Sequence, residues 1–83
     1  MITWIPVEKE LPRQHERKDS DGREYKSSNL VLIWTTDKEQ PLDIGCLEDD
    51  KWYIHGIGGY DSTVTHWALI NGPDGHLVDV EYC

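Results

Sequence analysis

Apolar residues occur in short bursts separated by charged or glycine-rich stretches, and no burst holds the three-to-four-residue period of a helix. The two strongest bursts lie at 29–36 (NLVLIWTT) and 64–70 (VTHWALI), both rich in β-branched and aromatic residues and bounded by Ser, Asp, Asn and Gly. Side chains alternate along a strand, so Val64, His66, Ala68 and Ile70 point one way and Thr65, Trp67 and Leu69 the other. In the earlier burst Leu30, Leu32 and Trp34 oppose Val31 and Ile33. Neither strand has a polar face, which places both near the middle of a sheet covered on two sides.

The weaker signals fit around these two. Residues 3–7 are extended, and Pro6, lacking a ladder donor, assigns them to an edge or a bend. Residues 8–11 have room for one helical turn before Pro12 ends it. From 12 to 28 the only large apolar side chain is Tyr25, so this segment reads as a charged loop, mobile or functional, since it has little to bury against the entropy of ordering. Residues 42–47 alternate, with Leu42, Ile44 and Cys46 together, and pass through an acidic turn into a hairpin arm at 51–55. Residues 56–62 form a flexible connection, 71–75 concentrate turn residues, and 77–82 read as an edge strand on which Asp79 and Glu81 oppose sheet association. The pattern predicts one domain over 1–83: mainly β, a small antiparallel sheet or partly open barrel with at most one short helical turn. Trp4, Leu32, Trp34, Ile44, Trp52, Ile54, Val64 and Trp67 are the expected core.

Composition sharpens this picture. An 83-residue chain buries roughly 60% of the surface its unfolded form exposes, so four Trp and four Tyr must supply much of the core in the absence of Phe. Eight Lys and Arg against sixteen Asp and Glu give a net charge of −8, which argues against direct binding to nucleic acid or anionic lipid. The charge is uneven. Residues 12–29 hold five cations (Arg13, Arg17, Lys18, Arg23, Lys26) and four carboxylates, a balance of +1, and the rest of the chain carries −9. No apolar run reaches the length of a membrane span and the N-terminus has no leader pattern, so a soluble, cytoplasmic protein is expected. Two cysteines make no disulfide framework; Cys46 reads as a small buried hydrophobe, and a bridge between Cys46 and Cys83 is left open.

The candidate chemistry is sparse. Four His and two Cys show neither C-x-x-C nor H-x-x-x-H spacing, so no metal and no cofactor is expected. His66 lies among apolar neighbours and reads first as a hydrogen-bonded core residue; a small enzyme or ligand pocket centred on His66, with Tyr53, His55 or Asp61 nearby, is the alternative. Gly56-x-Gly58-Gly59 is followed by no Lys and no helix start, so it reads as a turn rather than a phosphate cradle. No catalytic residue is assigned. Asp37, Glu39, Asp43, Glu48, Asp49, Asp50 and Asp61 fall in turns and on wetter strand faces, where they would present a negative surface to a basic groove.

Trp4-Ile5-x-Val7, Leu11-Pro12, Val31-Leu32-Ile33-Trp34, Trp52 after a short hairpin and Val64-Thr65-His66-Trp67 together resemble the domain of unknown function 551 family, over roughly residues 3–70. That resemblance implies a short phage or prophage protein in the bacterial cytoplasm, and it brings no activity or catalytic residue. The chain departs from the family pattern in the charged stretch 13–28, which looks like an insertion, and after Trp67, where Ala68-Leu69-Ile70 and a further strand replace a proline-rich ending. The expected function is that of an accessory protein that binds a host or phage protein, as an acidic inhibitor of a nucleic-acid-handling or defence machine.

Overall fold

The structure, a computed structural model, describes residues 2–78. Each strong apolar burst becomes a strand, and so does the charged stretch. The strands are β1 (Ile5–Pro6), β2 (Gln14–Lys18), β3 (Glu24–Ser28), β4 (Val31–Thr35), β5 (Leu42–Glu48), β6 (Lys51–Ile54), β7 (Gly59–Tyr60) and β8 (Val64–Ala68). Every ladder is antiparallel. The order is β1-β8-β4-β5-β3-β2, with β6 and then β7 continuing from β5, and the sheet curls into a half-barrel. The described residues hold no helix, within the expectation of at most one helical turn; residues 7–9 make a turn in which the Lys9 and Glu10 amides donate to the Pro6 carbonyl.

Cross-strand pairing decides which side chains share a face. Ile5, Trp67 and Ile33 form one inward rung, and Val31 and Ile54, either side of Gly45, form the next. With Leu47, Trp52 and Val64 these make the core. Val64 and Trp67 reach the same side although they are three residues apart. The register of β8 against β4 slips between Trp34 and Thr35, leaving Thr65 as an extra residue opposite them. Strict alternation, which separates Val64 from Trp67, is therefore corrected by a β-bulge. Gly45 is required by the packing of β5 on β6: a Cβ there would collide with the Tyr53 carbonyl oxygen and press on Ile33.

The expected core needs a further correction. Trp52, Ile54, Val64 and Trp67 are buried, but Trp34 and Ile44 are exposed, at 41% and 37%, and Trp4 and Leu32 are only half-buried. The inward face of β4 is Val31 and Ile33. Both faces of the strand are apolar, so its pattern did not say which one the curl of the sheet would close over.

The segment expected as a charged mobile loop over 12–28 is instead a hairpin, β2 on β3, paired over five rungs. Charge, read as an obstacle to order, is part of what pairs the arms: Glu16 faces Lys26 and Lys18 faces Glu24. At the tip the Asp19 side chain accepts from the Asp21 and Arg23 amides, and Gly22 takes a positive φ. At the base, where β3 gives way to β4 along the same edge of β5, buried Ser28 accepts from the Leu47 amide and donates to the Asn29 carbonyl. That hydroxyl satisfies a β5 amide at the break in the ladder.

After β8 the chain turns through 71–75, closed by an Asn71 and Leu77 bridge and by the Val78 amide on the Ile70 carbonyl. Within the turn Asp74 accepts from the His76 amide and ring, which holds its carboxyl below the usual range. The edge strand expected at 77–82 falls largely outside the described residues, as does Cys83. Cys46 is fully buried, as expected, and is not a free thiol.

Candidate functional site

The seven carboxylates expected to form one acidic surface fall into two groups. Glu48, Asp49 and Asp50 close the β5–β6 hairpin. The turn is a two-residue loop with both Asp49 and Asp50 at positive φ, a conformation that Asp tolerates better than most residues. Its side chains are committed to the β2–β3 hairpin. Asp49 accepts from the Lys26 amide at 3.0 Å and lies 3.8 Å from the Arg23 guanidinium, while its own amide donates to the Lys26 carbonyl. Gln14 clamps Asp50 reciprocally, its Nε2 donating to the carboxylate and its Oε1 accepting from the amide. Glu48 interacts with Tyr60: burial, and then the hydrogen bond with Glu48, hold the Tyr60 phenol above its usual range.

The second group lies around a hollow, Asp37 and Asp43 from the start of β5 and its approach and Asp61 from beyond β7, where its amide donates to the Trp52 carbonyl. Asp37, in the β4–β5 loop, accepts from the Glu39 and Gln40 amides, a local turn that leaves Glu39 exposed. Asp43 caps the turn after β6, its Oδ1 accepting from the Gly56 and Ile44 amides. Gly56 has no space for a Cβ against this carboxylate. Asp61 is exposed beside Thr63, and Asp37, Asp43 and Asp61 line an open hollow of about 280 Å3 with Thr35, Ile54 and Ile57. Among the described residues no group of three His, Cys, Asp or Glu has the geometry to hold a metal.

The alternative site is not assembled. His66 is half-buried on the outer face of the sheet, on a rung between Pro6 and Trp34, and its Nδ1 is 2.9 Å from the Thr65 hydroxyl. Tyr53 and His55 pack edge-to-face with each other, and Tyr53 likewise with Tyr60. β4 and β5 separate this trio from β8, a spacing of roughly 14 Å for three strand intervals.

The outer face itself escaped the sequence reading. Its rungs run Pro6, His66, Trp34, Leu42; then Ala68, Leu32, Ile44; then Cys46, Tyr53, Tyr60. These three rungs hold no Asp, Glu, Lys or Arg, in a chain in which 29% of residues are charged, but the next on the same face, Glu48 opposite Lys51, is charged. The signal was the doubled apolar pattern of the two central strands, interpreted as a strand covered on both sides. Comparison with known proteins finds no matching family model, no matching curated protein and no matching solved structure. No helix among the described residues is long and apolar enough to cross a membrane.

Proposed function

We propose that the chain is a small phage or prophage accessory protein that works by binding another protein, with its acidic end as the contact and a basic groove of a nucleic-acid-handling or defence machine as the target. The observation that carries this reading is the division of the acidic residues. Four are tied into the fold through Lys26, Gln14, Tyr60 and Gly56. Asp37 and Glu39, in the β4–β5 loop, and Asp61, across the open hollow from Asp37, hold exposed positions. A net charge of −8 supports attraction to a basic surface and opposes direct contact with a nucleic-acid backbone.

The test is capture of a partner from a bacterial host by the tagged chain, followed by affinity measurement with the purified partner. Exposed charges are screened over about 8 Å at physiological ionic strength, so affinity should fall steeply as salt rises. Reversing Glu39 and Asp61 together to Lys, with Asp37 kept as the acceptor of its loop, should weaken binding at least tenfold without changing the circular dichroism spectrum. Binding indifferent to both salt and the reversal would rule out the acidic contact. Glu48, Asp49 and Asp50 are unsuitable for that test because reversing them would open the hairpin.

A further inference from the structure

Cys46 lies on the outer face of the sheet, on a rung with Tyr53, and it is fully buried and disulfide-bonded. The chain has one other cysteine, Cys83. We propose that the two are joined within one chain, so that residues 79–83 form a strap over the Cys46 end of the outer face, and that a reducing thiol releases it.

Reach and burial select this occupant. The Val78 amide donates to the Ile70 carbonyl at 2.7 Å, and Val78 lines one hollow with Leu30. Continued past their last paired residues, the two ladders of β4 bring Ile70, Leu30 and Cys46 onto one rung. From Val78 to Cys46 is then three strand intervals, about 14 Å. Five residues extend to about 17 Å, so the tail reaches Cys46 with little slack and can cover only this end of the face. Exposure falls in the same direction: Trp34, Leu42 and Ile44 are 41%, 47% and 37% exposed, whereas Ala68 and Cys46, also on the outer face, are fully buried.

Closing the strap removes two electrons and two protons from the Cys46 and Cys83 thiols, and a low-molecular disulfide such as glutathione disulfide accepts them and leaves as two thiols. Release runs in reverse. Because Cys46 is fully buried, the incoming thiolate attacks the Cys83 sulfur, forming a mixed disulfide and expelling the Cys46 thiolate, which takes up a proton. A second thiolate then displaces Cys83, which is protonated in turn, and the two reductant sulfurs depart joined to each other. Cytosolic thiol pools keep such bridges reduced, whereas oxidising compartments preserve them, so the strap opens in the first and closes in the second. Release uncovers Leu30, Cys46 and Tyr53. The acidic contact proposed above uses Asp37, Glu39 and Asp61, none of which takes part in the strap, so the two claims are separate.

The test is peptide mapping of the full chain oxidised with glutathione disulfide, followed by amide hydrogen exchange before and after dithiothreitol. The expected map links Cys46 to Cys83 in a protein of single-chain mass. On reduction, and equally in Cys83→Ser, exchange across 79–83 should quicken at least tenfold while circular dichroism keeps its sheet spectrum. Two free thiols after oxidation, or a doubled mass joined through either cysteine, would overturn the pairing. Exchange across 79–83 that reduction leaves unchanged would overturn the strap. So would loss of the sheet spectrum in both the reduced chain and Cys83→Ser, because the bridge would then hold the fold itself.

Discussion

At the scale of single residues, small departures from regular geometry determine where side chains point. The extra residue at Thr65 turns Val64 into the core beside Trp67, and Gly45 lets β6 approach β5 where any Cβ would block it. Tyr60 shows how such detail becomes a measurable pH response. Its phenol, on a residue still 53% exposed, is held above the ordinary value of 10.0 by partial desolvation and by the hydrogen bond to Glu48, so the folded chain binds that proton somewhat more tightly than the unfolded chain. The associated stability is fully present below pH 10 and is lost as pH rises from 10 through the folded-state value. Tyr60→Phe should remove that part of the alkaline loss, as read from urea midpoints on either side of pH 10.

At the scale of elements, the β2–β3 hairpin is the clearest case of structure built without an apolar core. Its arms carry facing opposite charges, and its base is held by Asp49 on Lys26, by Gln14 on Asp50, and by Arg17, which donates to Ser27 and Asn29. Asp49→Ala removes the acceptor and places Ala at a positive φ that it tolerates poorly. The expected cost is about 1–2 kcal/mol, with amide exchange quickened across 24–28. Asp49→Asn keeps both an acceptor oxygen and tolerance of that backbone, so it should restore most of the loss. Equal exchange rates in the wild type and Asp49→Ala would show that the latch does not hold the hairpin.

At the scale of the whole molecule, one inward face carries the stability. Trp67 is 4% exposed and at its centre, and its indole Nε1 donates to the Glu10 carbonyl, tying the N-terminal turn to the core. Trp67→Ala should cost about 3–5 kcal/mol. Total stability scales to roughly 4–12 kcal/mol for a chain of this length. The variant should therefore be largely unfolded or melt far below the wild type, whereas Trp67→Phe, which loses the hydrogen bond and part of the ring volume, should lose about 2 kcal/mol. Thermal unfolding followed by circular dichroism distinguishes them, and a Trp67→Ala melting temperature equal to that of the wild type would show the ring is not central.

The sequence alone determined the β class and the positions of the main strands near 29–36, 42–47, 51–55 and 64–70, because a two-residue period and β-branched content are local properties. It also located the acidic turn at 48–51 and the burial of Trp52, Ile54, Trp67 and Cys46. Three things were left to the tertiary structure. The curl of the sheet chose Val31 and Ile33 over Leu32 and Trp34, since strands apolar on both faces carry no local mark of inside and outside. Pairing turned a charged loop into a hairpin, because Lys26 finds Glu16 and Asp49 only once the chain has folded back. The same long-range pairing divided the carboxylates into those that build the fold and those left exposed, a distinction set by distances between residues far apart in the chain.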